Sequence, residues 1–350
     1  MNETFDLLTL ALLPGVGSRC VRALVARAPM RDLLADPAGH ADLIPPRALR
    51  RLASGEARKE VAAEARRVTE LGVSLVGLDD EAYPPLLRQT YDPPPVLYVR
   101  GSLETGGEAP CVAIVGSRAA SPQGATLARA MARDLVSAGV VIVSGLARGI
   151  DTAAHRGALD GAGQTIAVLG SGLDRLYPRE NAGLAAAIER QGAVVSEFRL
   201  GTPPSPGHFP RRNRVIAGWG RGVVVAEAAR RSGALGTARE ALDAGREVMA
   251  VPGHPAHLGA AGVNQLIRDG AALVRGAADV AAELKLELAE PRLEPVGDKL
   301  LELLRRDAPQ SLEEIQQRSG WPVPKLLTRL GELEVGARVR RLPGSLYVRA

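Results

Sequence analysis

The chain has 350 residues, 46% hydrophobic and 24% charged, with a formal net charge of +5, values that describe two or three soluble domains with a mildly basic balance. That balance says little by itself about partners, because a preference for arginine over lysine is also a compositional habit. Two distant cysteines, Cys20 and Cys111, exclude a zinc-type spacing and fit a reduced, cytoplasmic protein; no apolar run reaches the ~18 residues of a membrane span, and the acidic opening Met1 to Asp6 is unlike a secretory signal.

Residues 1–80 read as a helical domain, with turns at Pro14-Gly15-Val16-Gly17, Ala28-Pro29 and Pro45-Pro46. The stretch from Leu7 to Ala26 has the form of a helix-hairpin-helix, also compatible with a SAM-like bundle. In a helix-hairpin-helix the glycine turn offers backbone N–H groups and a helix N-terminus to a DNA phosphate; an ordinary αα-hairpin has the same outline. Residues 81–109 are rich in proline and glycine, from Tyr83-Pro84-Pro85 to Gly106-Gly107. They predict a linker with one short strand at 96–99.

Residues 110–288 alternate apolar strands (112–115, 140–144, 165–169, 193–196, 223–226 and 248–251) with helices at 122–138, 151–161, 180–191, 211–219, 233–244 and 263–270. Strands apolar on both sides with helical crossovers predict a parallel sheet covered on both faces. The fold class is therefore α/β, with a Rossmann-like, doubly wound central domain. A linker at 289–298 leads to residues 299–350. There, three helices and a hairpin around Leu342-Pro343-Gly344-Ser345 predict a winged helix. Its modest basic excess is too weak to mark a DNA reader, so docking of protein and contact with duplex DNA both stay open.

Ligands of doubly wound sheets bind beyond the carboxyl ends of the strands, and those junctions carry glycine, serine and arginine. Gly116-Ser117-Arg118 follows the first strand, and Gly145 to Asp151, with Arg148 and Gly149, follows the second. Neither is GxGxxG or GxxxxGK[ST], so no nucleotide cofactor is expected. Tyr177 and Arg179 follow the third strand. After the fourth comes Phe209-Pro210-Arg211-Arg212-Asn213-Arg214, inside a window from Arg199 to Arg221 holding five arginines and no acidic residue. Arginine forks at a helix start suit phosphates. Phe209, Tyr177 and Glu197 are candidate contacts to bases, and a salt bridge from Glu197 to one of these arginines is the competing reading. So many anion-accepting turns on one edge suit a strand of several phosphates. No metal cluster or confident catalytic pair is seen, and Asp151, Glu197 and Glu227 each have a plausible structural role.

These stretches, together with Leu169-Gly170-Ser171-Gly172, Val251-Pro252-Gly253 and Asn264-Gln265-Leu266-Ile267, resemble the DNA-processing protein A (DprA/Smf) family in family order over most of 110–275. The resemblance implies a homodimer that binds and protects incoming single-stranded DNA and loads a RecA-type recombinase onto it in natural transformation, without catalysis. It carries the family's phosphate-binding arginine onto Arg118, and its other basic residues onto or near Arg179, Arg211 and Arg212. Where the family usually reads Gly-Ser-Leu-Ile-Thr-Ala, this chain has Gly233-Ala234-Leu235-Gly236-Thr237-Ala238, followed by Glu240. That is part of the pattern of the related phosphoribohydrolases of nucleoside monophosphates. It leaves a nucleotide hydrolase using Glu227 or Glu240 as the alternative.

Overall fold

The computed structural model describes residues 3–103, 109–286, 299–305, 308–335, 338–342 and 344–349. The predicted linker at 289–298 and the pair Gly106-Gly107 lie outside the described residues. The chain divides into two compact units, residues 1–291 and 292–350.

The first unit is built on one sheet of nine strands: β1 (Ser74–Gly77), β2 (Val96–Gly101), β3 (Cys111–Gly116), β4 (Val141–Ser144), β5 (Thr165–Leu169), β6 (Ala193–Ser196), β7 (Gly222–Glu227), β8 (Glu247–Ala250) and β9 (Ala272–Leu273). Their spatial order is β1-β2-β6-β5-β4-β3-β7-β8-β9. Every neighbouring pair from β6 across to β9 is parallel. The pairs β1–β2 and β2–β6 are antiparallel. Residues 74–77, which the local pattern leaves inside a helical stretch, form the edge strand β1. The two-faced apolar run that marks β4 and β6 is missing here, since Ser74 is exposed and only Val76 and Gly77 are buried.

Side-chain alternation explains why both faces are covered. Val112 and Ile114 pack with Met131, Leu135 and Ile150 of helices Pro122–Ser137 and Ile150–Asp160 on one face. Ala113 and Val115 face the other side, in the core that holds Val215 and Trp219 of helix His208–Trp219. That second core runs on without a break into the N-terminal helices. Leu7, Leu10 and Leu24 are fully buried in it beside Tyr98 and Val195. The Pro14–Gly17 turn joins helices Glu3–Ala11 and Ser18–Arg27, as the sequence predicts.

The second unit has helices Lys299–Leu303, Leu312–Ser319 and Val323–Val335 and a three-stranded sheet, β10 (Gln310–Ser311), β11 (Val339–Leu342) and β12 (Leu346–Arg349), in the order β10-β12-β11. Ser311 and Glu314 form the reciprocal capping box that their spacing predicts. Leu300, Ile315, Leu326, Leu330 and Tyr347 make its core. This is the winged-helix arrangement. No described helix is long and apolar enough to cross a membrane.

Candidate nucleic-acid interface

From β3 the chain steps outward through β4, β5 and β6. It then returns by helix His208–Trp219 to β7, on the other side of β3. The neighbours β3 and β7 are thus the switch point, where the following loops diverge and leave a crevice. A cleft of about 1110 Å³ opens there. Its walls come from the loops after β3, β4, β5, β6 and β7.

Close backbone packing shapes the floor. The Gly116 Cα lies so near Ile150 Cγ1 that a Cβ would come within 2.6 Å of it. Gly149 has φ +73° and abuts the Ser117 carbonyl, which accepts the Ile150 N–H at 3.1 Å. The β3 and β4 loops are therefore locked together. Ser117 donates its amide to the Glu227 carbonyl at 2.7 Å. Its hydroxyl accepts the Ala119 amide at 3.2 Å.

Arg118, Tyr177 and Phe209 meet at the cleft. The Arg118 guanidinium stands 4.9 Å from the Phe209 ring centroid, and the Tyr177 ring lies 5.8 Å from it, tilted by 46°. Arg118 is exposed, and no described carboxylate pairs with it. A cation stacked on an aromatic face leaves its N–H fork free for phosphate.

Arg212 lies deeper, at only 4% exposure. Its Nη1 donates to the Val168 carbonyl at 2.8 Å. Burial pulls its pKa down to about 10, a shift opposed by Asp151. Burial pushes the Asp151 carboxyl up, and Arg212 with the Ala147 and Gly145 amides pulls it back. Gly145 donates to Asp151 Oδ2 at 3.1 Å, so this amide, expected to face a phosphate, is already bound within the protein. Asn213 lines the cleft and reaches the Gly233 carbonyl at 3.4 Å.

The structure does not gather the remaining predicted residues into the cleft. Arg211 turns away from it and stacks 5.1 Å from the Phe198 centroid. Its Nη2 pairs at 2.9 Å with Glu197 Oε2, which also holds Arg214 Nη2 at 2.5 Å. The Glu197 side chain is nearly fully buried, with Oε1 unpartnered. Burial raises its pKa against the pull of Arg214 and Arg211. The salt-bridge reading of Glu197 thus describes it, with two arginines rather than one. Arg148 pairs with Glu180 on the surface. Arg179 is exposed at the start of a short 3-10 turn and has no described carboxylate partner.

Two arginines that the strand-by-strand reading did not single out line the cleft instead. Arg231 and Arg239, both exposed and without described ion pairs, follow β7. Arg231 sits at a strand–helix junction, which was the available signal. Of the two candidate catalytic acids, Glu227 accepts the Ser121 hydroxyl at 2.5 Å and the Ser121 amide at 3.1 Å. It is consumed in fixing the start of helix Pro122–Ser137. Glu240 lines the cleft half-buried, its pKa raised by burial and then by Asp243. No described cluster of His, Cys, Asp and Glu suits a metal ion.

Residues 74–285 match the family model described as DNA recombination-mediator protein A, and residues 285–345 match the DprA winged helix domain. The chain is 41% identical over 306 residues to Protein Smf of Escherichia coli K12, covering 83% of this chain and 81% of the relative. The crystal structure of DNA processing protein A from Streptococcus pneumoniae superposes with a TM-score of 0.72 at 36% identity, covering 83% of this chain and 99% of that one. A second structure, DNA processing protein A from Helicobacter pylori, described for its single-stranded DNA binding mode, gives a TM-score of 0.55 at 28% identity over 61% of this chain and 95% of that one. The chain belongs to the DNA recombination-mediator protein A family.

Proposed function

We propose that this protein binds single-stranded DNA along the switch-point cleft, protects the incoming strand and loads a RecA-type recombinase onto it. It acts by binding, in the cytoplasm, as a homodimer that sets two clefts on one particle and so raises avidity. The observation that carries this reading is the set of exposed arginines around one cleft, Arg118, Arg231 and Arg239, none with a described carboxylate partner. Several arginines elsewhere in the unit are paired, as Arg129 is with Asp160 and Arg27 with Asp42. Unpaired guanidinium forks beside a buried cation, Arg212, make a site for a polyanion. Phe209 and Tyr177 add faces on which bases stack without sequence preference. The Helicobacter relative, described as binding single-stranded DNA, supports the same ligand.

The test is the salt dependence of binding of a fluorescent oligo-dT. Each phosphate neutralised adds ~0.7 to the slope of log affinity against log salt, so roughly four contacts give a slope near −3. A slope near zero would overturn the reading.

A further inference from the structure

Helix His208–Trp219 has a second side. Phe209, Arg212 and Asn213 look into the cleft, while Arg211 looks into a separate groove of about 400 Å³. The opposite wall of this groove is the N-terminal hairpin, with Val16, Gly17, Ser18 and Arg19. Its floor holds Tyr98, Glu197 and Phe198.

We propose that this groove is a second nucleotide subsite, taking one unit of the DNA strand that leaves the cleft. The inference rests on the cleft reading above. Four observations support it. The volume falls within the ~300–1,000 Å³ of small-ligand pockets, enough for a single nucleotide. The groove's lining holds three arginines, Arg19, Arg199 and Arg211, against two acids, Asp92 and Glu197. Arg19 is exposed and stacks 5.5 Å from the Tyr91 centroid without a described ion pair. The acids of the groove are already engaged: Asp92 accepts the Ser18 hydroxyl and lies 3.6 Å from Arg214 Nε, and Glu197 Oε2 is held by Arg211 and Arg214.

Helix Ser18–Arg27 starts at this wall with no side-chain cap, because its N-cap is Gly17. Its first amides therefore remain available to a phosphate. Finally, one buried polar atom of the floor has no partner, Glu197 Oε1. The Glu197 side chain is only about 2% exposed. Buried polar atoms left without partners are uncommon and costly. An unfilled carboxylate oxygen matches an N–H group on a base edge. The phosphate would then lie toward Arg19 and the amides of the helix start, and the base toward Glu197.

The test compares two single-stranded oligonucleotides, one of roughly 6 nucleotides, enough for the cleft, and one of roughly 16, within the usual range of site sizes. Gly17→Asp is the first variant. A Cβ at Gly17 meets nothing within 4 Å, and Asp is a favoured N-cap, so the fold is kept while a carboxylate enters the phosphate position. Arg19→Ala is the second. Both variants are expected to bind the short oligonucleotide as the wild type does, and to bind the long one about 5- to 10-fold more weakly. Their salt slope for the long strand should be shallower by ~0.7. If both bind the long strand as tightly as the wild type, the inference is overturned, whatever happens in the cleft. Arg118→Ala/Arg239→Ala separates the two ideas. Loss of both oligonucleotides in that variant supports the cleft. If that variant binds both normally, the cleft reading fails, and weak binding of the long strand by Gly17→Asp would make the groove the main site.

Discussion

Gly145 and Arg212 compete for one space: a Cβ built on Gly145 would overlap the Arg212 guanidinium. The absence of a side chain at 145 lets a nearly fully buried arginine lie under the β4 loop, against Asp151 and the Val168 carbonyl. Gly145→Ala is therefore expected to push Arg212 off Val168. Overpacking of this kind costs about 1–3 kcal/mol. Urea unfolding should show a lower midpoint at unchanged slope, and an unchanged midpoint would contradict the packing described.

His155 makes the same region sensitive to acid. Thr165 donates its hydroxyl to the Ile142 carbonyl at 2.8 Å, so it accepts from His155 Nδ1 at 2.7 Å. The proton is then on Nδ1, and the buried Nε2 has no partner. Protonating Nε2 would bury a charge beside Arg212. Burial, followed by Arg212, pulls the pKa down to about 3 from 6.5. Because the folded value is the lower one, the unfolded chain binds the proton first as pH falls. Stability is complete above about pH 6.5 and declines from there toward pH 3, by about 2 kcal/mol at pH 5. Thermal unfolding between pH 7.5 and 5 should show this loss, and His155→Gln should flatten that part of the profile. An equal loss in the variant would assign the acid sensitivity to other groups.

Much of this arrangement was legible in the sequence. The strands of the parallel sheet stood out because both their faces are apolar, and the Gly116-Ser117-Arg118 turn because it ends one of them. The arginine run at 211–214 was legible as composition but not as geometry. Successive helical residues point ~100° apart, so Arg212 enters the core while Arg211 swings to Glu197. The run reads as one basic patch and folds as a buried cation and a salt-bridged pair. Arg231 and Arg239 meet Arg118 only because β7 lies beside β3, a neighbour relation set by the topology of the sheet. Strand β9 has two residues, and β1 buries only Val76 and Gly77, so neither carries a two-faced apolar pattern.

The same phase argument separates the arginines by function. Arg118 and Arg239 have no competing carboxylate among the described residues, whereas Arg211 is held by the buried Glu197. Arg118→Ala and Arg239→Ala should each weaken binding of a short oligo-dT about 5- to 10-fold and lower the salt slope by ~0.7. Arg211→Ala should leave the short strand's affinity within about 2-fold and its slope unchanged, because its guanidinium is turned away from the cleft and neutralised by Glu197. Fluorescence anisotropy at several salt concentrations distinguishes the two patterns. A loss in Arg211→Ala equal to that in Arg118→Ala would put Arg211 on the DNA path through the cleft.

The hydrolase alternative now rests on Glu240 alone. Glu227 is bound by the Ser121 hydroxyl and amide at the start of helix Pro122–Ser137, and a carboxylate held in that way serves the helix N-terminus. Glu227→Ala should therefore lower stability by about 1–2 kcal/mol, as loss of a helix cap does. Glu240 is free of such bonds and its carboxyl is pushed up by burial and Asp243, a condition that suits a general acid. It lies in the same cleft as Arg239, so the test is direct. If the cleft is a binding groove, incubation with each nucleoside monophosphate releases no free base. Glu240→Gln then binds oligo-dT at least as tightly as the wild type, since it removes negative charge from the path of the strand. Release of base by the wild type that Glu240→Gln abolishes would instead make the cleft an active site.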